Sequence, residues 1–265
     1  MSQKKNPNRI LGKKKIIFLD MDGTIYIGNK LIPGAKRFLM YLKEIEIPYY
    51  FLSNNSSRSK NDYVRKLKKL GIDAVEEEII LSTDGTIDYL LQKKIKNLYI
   101  VGTRSMKQMF IRAGLHADSK KPEMIVLGFD TEMTYEKLKK AALWMQRGIP
   151  LIATHPDFVC PTPEGFIPDT GAMLALLEKS THRVPLKVFG KPNPEMITHI
   201  LKKHNVRPSE TVIIGDRLYT DREMALRLKC DFILVLSGET KESDIHDLDP
   251  TPVLIVESVG HIMDR

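Results

Sequence analysis

The stretch Ile16-Ile17-Phe18-Leu19-Asp20-Met21-Asp22-Gly23-Thr24 places two carboxylates directly after four large apolar residues. Such a run is typical of a parallel strand that is covered on both faces, and open α/β sheets bind ligands outside the carboxyl ends of their strands. Gly23 allows a sharp turn, so Asp20 and Asp22 can converge on one cation or one phosphoryl group. The alternative interpretation is an ordinary polar turn, because Asp and Gly are both common in turns.

Composition and charge indicate a globular chain with a basic tail. Of the 265 residues, 42% are hydrophobic and 28% are charged, so the chain can bury a substantial interior in one domain or in a core with an insertion. The net charge of +8 is concentrated in residues 1–15, which contain six Lys and Arg residues and no acid. The other residues include 35 basic and 33 acidic side chains and no nucleic-acid-binding motif, so we do not expect nucleic acid as a partner.

The sequence gives no signal for export or membrane insertion. No apolar segment separates the basic residues from the first strand, as it would in a secretory signal peptide, and no stretch approaches the roughly 20 apolar residues that cross a bilayer. Cys160 and Cys230 form neither a disulfide framework nor a zinc-ligand cluster. We therefore expect a cytoplasmic protein without a membrane partner.

Short apolar runs alternate with segments of helical period, a pattern that predicts βαβ units and a parallel sheet. The cluster Ser53-Asn54-Asn55-Ser56-Ser57 is expected to cap a helix that ends at Gly71. Residues 160–168 are rich in Pro and Gly and predict a long surface loop. Further strands are predicted at residues 49–52, 79–82, 98–101, 124–129, 151–154, 188–189, 212–214 and 232–236.

Two of the later strands also end in polar residues. Gly190-Lys191-Pro192-Asn193 follows residues 188–189, and Gly215-Asp216-Arg217, with Asp221 shortly beyond, follows residues 212–214. Because parallel strands end along one edge of a sheet, we expect a cluster of side chains from four strand ends: Asp20, Asp22, Ser53, Lys191, Asp216 and Asp221.

Each member of this cluster has another interpretation when it is taken singly. Ser53 is a suitable helix cap, and a lone Lys191 is most often a solvated surface side chain. Asp216 and Asp221 are placed where the dipole of a following helix favours acids. The functional interpretation therefore depends on the four strand ends together.

In these four motifs the chain resembles phosphatases of the haloacid dehalogenase (HAD) superfamily, in the subgroup similar to nitrophenyl phosphatases. The resemblance covers nearly the whole chain after the basic tail. It implies an α/β fold with a doubly wound, Rossmann-like parallel sheet as the HAD core at residues 16–85 and 185–265, and a smaller α/β cap domain inserted at residues 86–184. The matching motifs are Asp20-Met21-Asp22-Gly23-Thr24, Leu52-Ser53-Asn54-Asn55, Gly190-Lys191-Pro192-Asn193, and Gly215-Asp216-Arg217 with Asp221.

The resemblance implies a two-step hydrolysis of a small phosphorylated metabolite, such as a sugar phosphate or a nucleotide. Asp20 would attack phosphorus to form an aspartyl-phosphate, and Asp22 would protonate the leaving oxygen and later activate water. Mg²⁺ would bind the carboxylates of Asp20 and Asp216 and the backbone carbonyl of Asp22. Asp221 would ligate this metal or orient its shell through water.

The remaining motif residues are expected to contact the substrate. Lys191 and Ser53 would assist catalysis by stabilising the charge on the phosphoryl oxygens. Thr24, Asn54 and Asn55 would bind the substrate region and position the nucleophile and its loop. The resemblance also implies a homo-oligomer formed through the cap. Asp169-Thr170-Gly171 departs from the second glycine that the family usually has near this position, which leaves the substrate preference open.

Two other functions remain open at this point, and the acid at Asp22 argues against a third. A phosphotransferase or mutase would pass the phosphoryl group from Asp20 to an alcohol instead of water. A receiver-like signalling module would also use a strand-end Asp with Lys and magnesium, but it needs only one compact domain and a long-lived phosphoryl group. A halide-releasing relative would not need an acid at Asp22, because halide leaves without a proton.

Overall fold

The computed structural model describes residues 9–162 and 164–264. Residues 1–8 of the predicted basic tail, and Pro163 of the predicted loop, lie outside the described residues. The end of the predicted tail is packed against the protein: Leu11 is buried, and the Lys14 Nζ atom lies 2.8 Å from an Asp231 carboxylate oxygen. Lys15 similarly pairs with Glu210, so these basic side chains hold the chain in front of the first strand.

The described residues form fourteen strands and eight α-helices. The strands are Ile16–Asp20 (β1), Tyr26–Ile27 (β2), Lys30–Leu31 (β3), Tyr49–Ser53 (β4), Ile79–Leu81 (β5), Leu98–Val101 (β6), Met124–Leu127 (β7), Leu151–Ala153 (β8), Val159–Thr162 (β9), Gly165–Pro168 (β10), Lys187–Val188 (β11), Thr211–Gly215 (β12), Asp231–Val235 (β13) and Leu254–Val256 (β14). The helices are Ala35–Glu44 (α1), Lys60–Lys69 (α2), Ser82–Gln92 (α3), Arg104–Arg112 (α4), Tyr135–Gln146 (α5), Thr170–Thr181 (α6), Glu195–His204 (α7) and Glu223–Leu228 (α8).

The chain divides into two compact units. The first unit comprises the described parts of Met1–Ser53, Val64–Ile80 and Pro192–Arg265, and the second comprises Asn54–Tyr63 and Leu81–Lys191. These bounds differ from the domain limits expected at residues 85/86 and 184/185, which stay a prediction.

The first unit contains a six-stranded sheet in the order β14-β13-β12-β1-β4-β5. β1 lies at its centre and pairs in parallel with β12 and β4, and every residue of β1 is buried. Apolar side chains of β1, β12 and β13 pack with Ile197 and Leu201 of α7 and Met224 of α8 in one core cluster. The predicted parallel sheet with flanking helices is therefore confirmed, and its central strand ends at Asp20.

The second unit has its own parallel sheet, in the order β11-β8-β7-β6. The pairing of Val188 with Ala153 places β11 in this sheet. The expectation that residues 188–189 belong to the same sheet as β1 is therefore wrong. Buried side chains of α4 cover one face of the second sheet, and those of α5 and α6 cover the other.

Two local predictions also differ from the structure. Residues 160–168 do not form a simple loop, because β9 and β10 pair as an antiparallel ribbon. Proline is tolerated there since a two-stranded ribbon consists only of edges, where a missing N–H is not needed by a neighbour. The cap of α2 is Ser59, whose hydroxyl accepts a hydrogen bond from the Asp62 N–H, and not the cluster at residues 53–57. Among the described residues, no helix is long and apolar enough to cross a membrane.

Candidate active site

Asp20 ends β1 with its side chain buried, and the chain turns immediately after it. The Met21 carbonyl accepts hydrogen bonds from the N–H groups of Ile25 and Tyr26 at 2.9 and 3.1 Å, which closes the turn. Gly23 makes the turn possible because its φ angle of +95° is one that residues with a side chain rarely adopt. The strand and turn together keep Asp20 and Asp22 at the carboxyl edge of the sheet.

Asp216 and Asp221 follow the neighbouring strand β12. Asp216 precedes the turn Leu218–Arg222, and Asp221 lies within it. The turn has π-helical hydrogen bonding, because the Arg222 N–H donates to the Arg217 carbonyl at 3.2 Å. This wide turn, a geometry frequent at functional sites, buries Asp221 completely. Carboxylate oxygens of Asp20, Asp216 and Asp221 lie within 4.8 Å of one another, so the structure brings these three predicted residues together.

Three buried carboxylates at this distance repel one another. Burial is the main cause that raises the pKa of Asp216 well above its usual range, and the charges of Asp20 and Asp221 raise it further. Buried charges are stabilised only by paired charges, hydrogen bonds or metal ions. Among the described residues, Asp216 Oδ1 is buried and has no hydrogen-bond partner. The oxygen donors and the unpaired Oδ1 atom therefore fit a hard divalent cation such as Mg²⁺.

Glycines surround these carboxylates. A Cβ atom at Gly23 would lie 2.5 Å from Asp216 Oδ2, and a Cβ atom at Gly215 would overlap the Asp221 carboxylate. Because Gly23 and Gly215 have no side chains, nothing at these two positions separates the acids, and the carboxylates can face one another.

Asp22 differs from the three buried acids because it is exposed to solvent. The surrounding protein still desolvates its carboxyl group in part, and this is the main cause that raises its pKa. Lys66 opposes the shift and Asp20 adds to it. A raised pKa keeps the carboxyl group protonated to higher pH than an ordinary aspartic acid, as a proton donor requires.

Two further predicted residues lie near the end of a strand in the first unit. Ser53 is the last residue of β4, directly after Leu52, which pairs with Asp20. Thr24 is buried, and its hydroxyl has no hydrogen-bond partner among the described residues.

Lys191, Asn54 and Asn55 belong to the second unit. The Asn54 side chain clamps the backbone of Lys191: its Oδ1 accepts from the Lys191 N–H at 2.7 Å, and its Nδ2 donates to the Lys191 carbonyl at 2.9 Å. The same Nδ2 donates to Asp157 Oδ1 at 3.1 Å. Gly190 comes so close to Asn54 Oδ1 that a Cβ atom there would lie 2.6 Å away. The second and third motifs are thus joined by one buried amide.

Asn55 has a different local role. Its Oδ1 accepts hydrogen bonds from the Ser57 N–H at 3.0 Å and the Ser57 hydroxyl at 2.6 Å. These contacts fold the segment that follows β4 into an Asx turn.

We expect the Asn54→Leu variant to be less stable than the wild type by about 2–4 kcal/mol, because it removes three hydrogen bonds from the buried groups of Lys191 and Asp157. Urea unfolding measures this difference. The matched control is Asn61→Leu on the exposed surface of α2, for which we expect a change within about 0.5 kcal/mol. Equal stability of the two variants would contradict the clamp.

Two groups of residues lie outside the cluster expected from the four strand ends. His155 is buried in the second unit, where its Nε2 lies 2.9 Å from Asp169 Oδ1 and links the end of β8 to the cap of α6. Ser237, Gly238 and Glu239 follow β13 and contact the acid cluster. The second group carried a usable signal, since it is one more polar segment after an apolar strand.

The chain is similar to known proteins in both sequence and structure. Residues 17–116 match the family model described as haloacid dehalogenase-like hydrolase, and residues 188–262 match the one described as HAD-hydrolase-like. An acid sugar phosphatase from Staphylococcus haemolyticus is 32% identical over 236 residues, which make up 88% of this chain and 89% of that relative.

Two solved structures are also similar. A 4-nitrophenylphosphatase from Thermotoga maritima is 37% identical and has a TM-score of 0.93, over 97% of this chain and 99% of that chain. A glycerol phosphate phosphatase from Mycobacterium tuberculosis, in complex with magnesium, is 27% identical and has a TM-score of 0.86, over 96% of this chain and 78% of that chain. The chain therefore belongs to the haloacid dehalogenase-like hydrolases and is a phosphatase of their nitrophenylphosphatase subgroup.

Proposed function

We propose that this phosphatase hydrolyses a small phosphorylated metabolite with the help of Mg²⁺ and through an aspartyl-phosphate on Asp20. The observation that carries the proposal is the buried cluster of Asp20, Asp216 and Asp221 with its unpaired Asp216 oxygen. The names of the relatives support a sugar phosphate or a similar polyol phosphate as substrate, and one relative was solved with magnesium.

In the first step a carboxylate oxygen of Asp20 attacks phosphorus, and the bond to the leaving oxygen breaks. Asp22 gives its proton to that oxygen, so the product leaves as a neutral alcohol. In the second step Asp22 takes a proton from water, which attacks phosphorus and restores the Asp20 carboxylate. The raised pKa of Asp22 supports its role as the acid of the first step.

The residues proposed to hold Mg²⁺ are the carboxylates of Asp20 and Asp216 and the backbone carbonyl of Asp22, with Asp221 as a direct ligand or a partner of bound water. When bound, the ion neutralises the repulsion between the Asp20 carboxylate and the phosphate dianion. Gly23 and Gly215 leave the acids room to face one another.

The other motif residues are proposed to bind the phosphoryl group and its surroundings. Lys191 supplies a fixed positive charge, and Ser53 donates a hydrogen bond to a phosphoryl oxygen. Thr24 and Asn55 shape the substrate region. The side chain of Asn54 is engaged by Lys191 and Asp157, so we propose that Asn54 acts on the substrate by holding Lys191 in place.

We expect phosphate release from a panel of sugar phosphates, polyol phosphates, nucleotides and nitrophenyl phosphate to require Mg²⁺. Removal of the metal with EDTA should reduce the rate to the background, and added Mg²⁺ should restore it. Full activity of the EDTA-treated protein would refute the metal requirement.

Size-exclusion chromatography with light scattering tests the homo-oligomer that we propose to form through the cap.

A phosphotransferase or mutase is the second candidate, because the same aspartyl-phosphate can pass its phosphoryl group to an alcohol. Adding glycerol during turnover separates the two reactions. A hydrolase releases one phosphate for each alcohol produced, whereas a transferase releases less phosphate and forms glycerol phosphate.

The phosphatase names of the relatives argue against a receiver-like module. The lack of a disulfide between Cys160 and Cys230 is compatible with our proposal of a cytoplasmic location.

A further inference from the structure

The segment Ser237–Gly238–Glu239 has no part in the two chemical steps, yet it contacts the acid cluster. It follows β13, which pairs in parallel with β12, and Leu234 lies opposite Gly215. The segment therefore lies at the same edge of the sheet as Asp216, at the end of the neighbouring strand.

Backbone hydrogen bonds connect this segment to Asp216. The Glu239 N–H donates to Asp216 Oδ2 at 2.6 Å, and the Thr240 N–H donates to the Asp216 carbonyl at 3.3 Å. The Ser237 hydroxyl donates to the Gly23 carbonyl at 2.7 Å, in the turn that follows Asp22. One short segment thus holds parts of the first and the fourth motif.

The two oxygens of Asp216 have different surroundings. Oδ2 is bonded by the Glu239 N–H, whereas Oδ1 is buried without a hydrogen-bond partner among the described residues. A donor on one oxygen fixes the rotation of the carboxylate and leaves the other oxygen for a ligand. Such orienting contacts matter for Mg²⁺, which demands near-ideal octahedral geometry.

Gly238 gives the segment its close approach. The φ angle of Gly238 is not positive, so a side chain at this position would cause no backbone strain. A Cβ atom at this position would instead overlap the Asp216 carboxylate. The Glu239 side chain holds the segment from the other side, with its Oε2 atom 3.0 Å from Arg217 Nε and 3.2 Å from the Tyr219 hydroxyl.

We propose that Ser237–Gly238–Glu239 is a positioning segment that orients Asp216 for the divalent cation and so favours Mg²⁺ over larger ions. The proposal rests on the proposed function for the presence of a cation at the acid cluster. It predicts that the segment controls metal affinity and selectivity separately from the stability of the fold.

The test is calorimetric titration of the metal-free protein with Mg²⁺ and with Ca²⁺. For Gly238→Ala we expect Mg²⁺ to bind about 10- to 100-fold more weakly, as is typical when a contact that orients a ligand is lost. Ca²⁺ tolerates irregular geometry, so its affinity should change by less than about threefold. Gly85→Ala, in α3 with its nearest atom at 3.8 Å, is the matched control and should bind both ions like the wild type.

A second variant keeps the test decisive if Gly238→Ala does not fold. Ser237→Ala removes only the hydrogen bond to Gly23, and we expect it to weaken Mg²⁺ binding about three- to tenfold, an effect of one lost hydrogen bond, at an unchanged melting temperature. Wild-type Mg²⁺ affinity in either folded variant, or an equal loss for both ions, overturns the positioning role. If the wild-type protein binds neither ion, the proposed metal site itself is wrong and the positioning role falls with it.

Discussion

We expect Asp20→Asn to lower kcat for phosphate release by about 10⁵-fold or more, the scale at which loss of a nucleophile acts in other hydrolases. An amide is a poor nucleophile, and the change also removes one negative charge from the cluster that is proposed to bind Mg²⁺. The rate should stay low at any substrate concentration, because the loss concerns the chemical step. The measurement is phosphate release from nitrophenyl phosphate at saturating Mg²⁺.

The matched control for this variant is Asp73→Asn, an exposed aspartate, for which we expect an unchanged rate. Acid-quenched wild-type protein should carry one added phosphoryl group in its intact mass during turnover, and Asp20→Asn should carry none. Substantial activity of Asp20→Asn, or a phosphoryl group on this variant, would show that another residue attacks phosphorus.

The first and fourth motifs could be predicted from the sequence because each is local. An apolar run that ends in acids identifies both the strand and its chemical end, and Asp20 and Asp216 accordingly lie close together. The placement of Lys191 could not be predicted in this way. β11 has only two half-buried residues, and such a short run does not specify its partner strand. It pairs with β8 in the second sheet.

Other differences also come from non-local pairing. The ribbon of β9 and β10 contains Pro161 and Pro168, which favour a loop when residues are read singly. The motif pattern does not predict the segment Ser237–Glu239, because no acid directly follows β13 and Glu239 comes only later in the segment. It contributes a backbone N–H and the missing Cβ atom of Gly238, and one glycine in a polar segment does not by itself indicate a close approach to Asp216.

Asp22→Asn should lose activity to an extent that depends on the leaving group. An alkoxide leaving group needs a proton, so for a sugar phosphate we expect kcat to fall by about 10³- to 10⁴-fold, within the range of general acid catalysis. Nitrophenolate is a stable anion and leaves without a proton, so formation of the aspartyl-phosphate from nitrophenyl phosphate should fall far less. Rapid-quench measurements of both substrates give the two rates separately.

The same variant should also trap the intermediate, because Asp22 is proposed to activate water in the second step. With nitrophenyl phosphate we expect a burst of nitrophenol that matches the enzyme concentration, followed by slow turnover, and phosphorylated Asp20 in the quenched protein. The access of Asp22 to solvent is compatible with this role, since the attacking water must reach it. An equal loss of activity with both substrates and no burst would mean that Asp22 acts only as a ligand or a structural residue. The proton transfer would then have to be assigned to another group near Asp20.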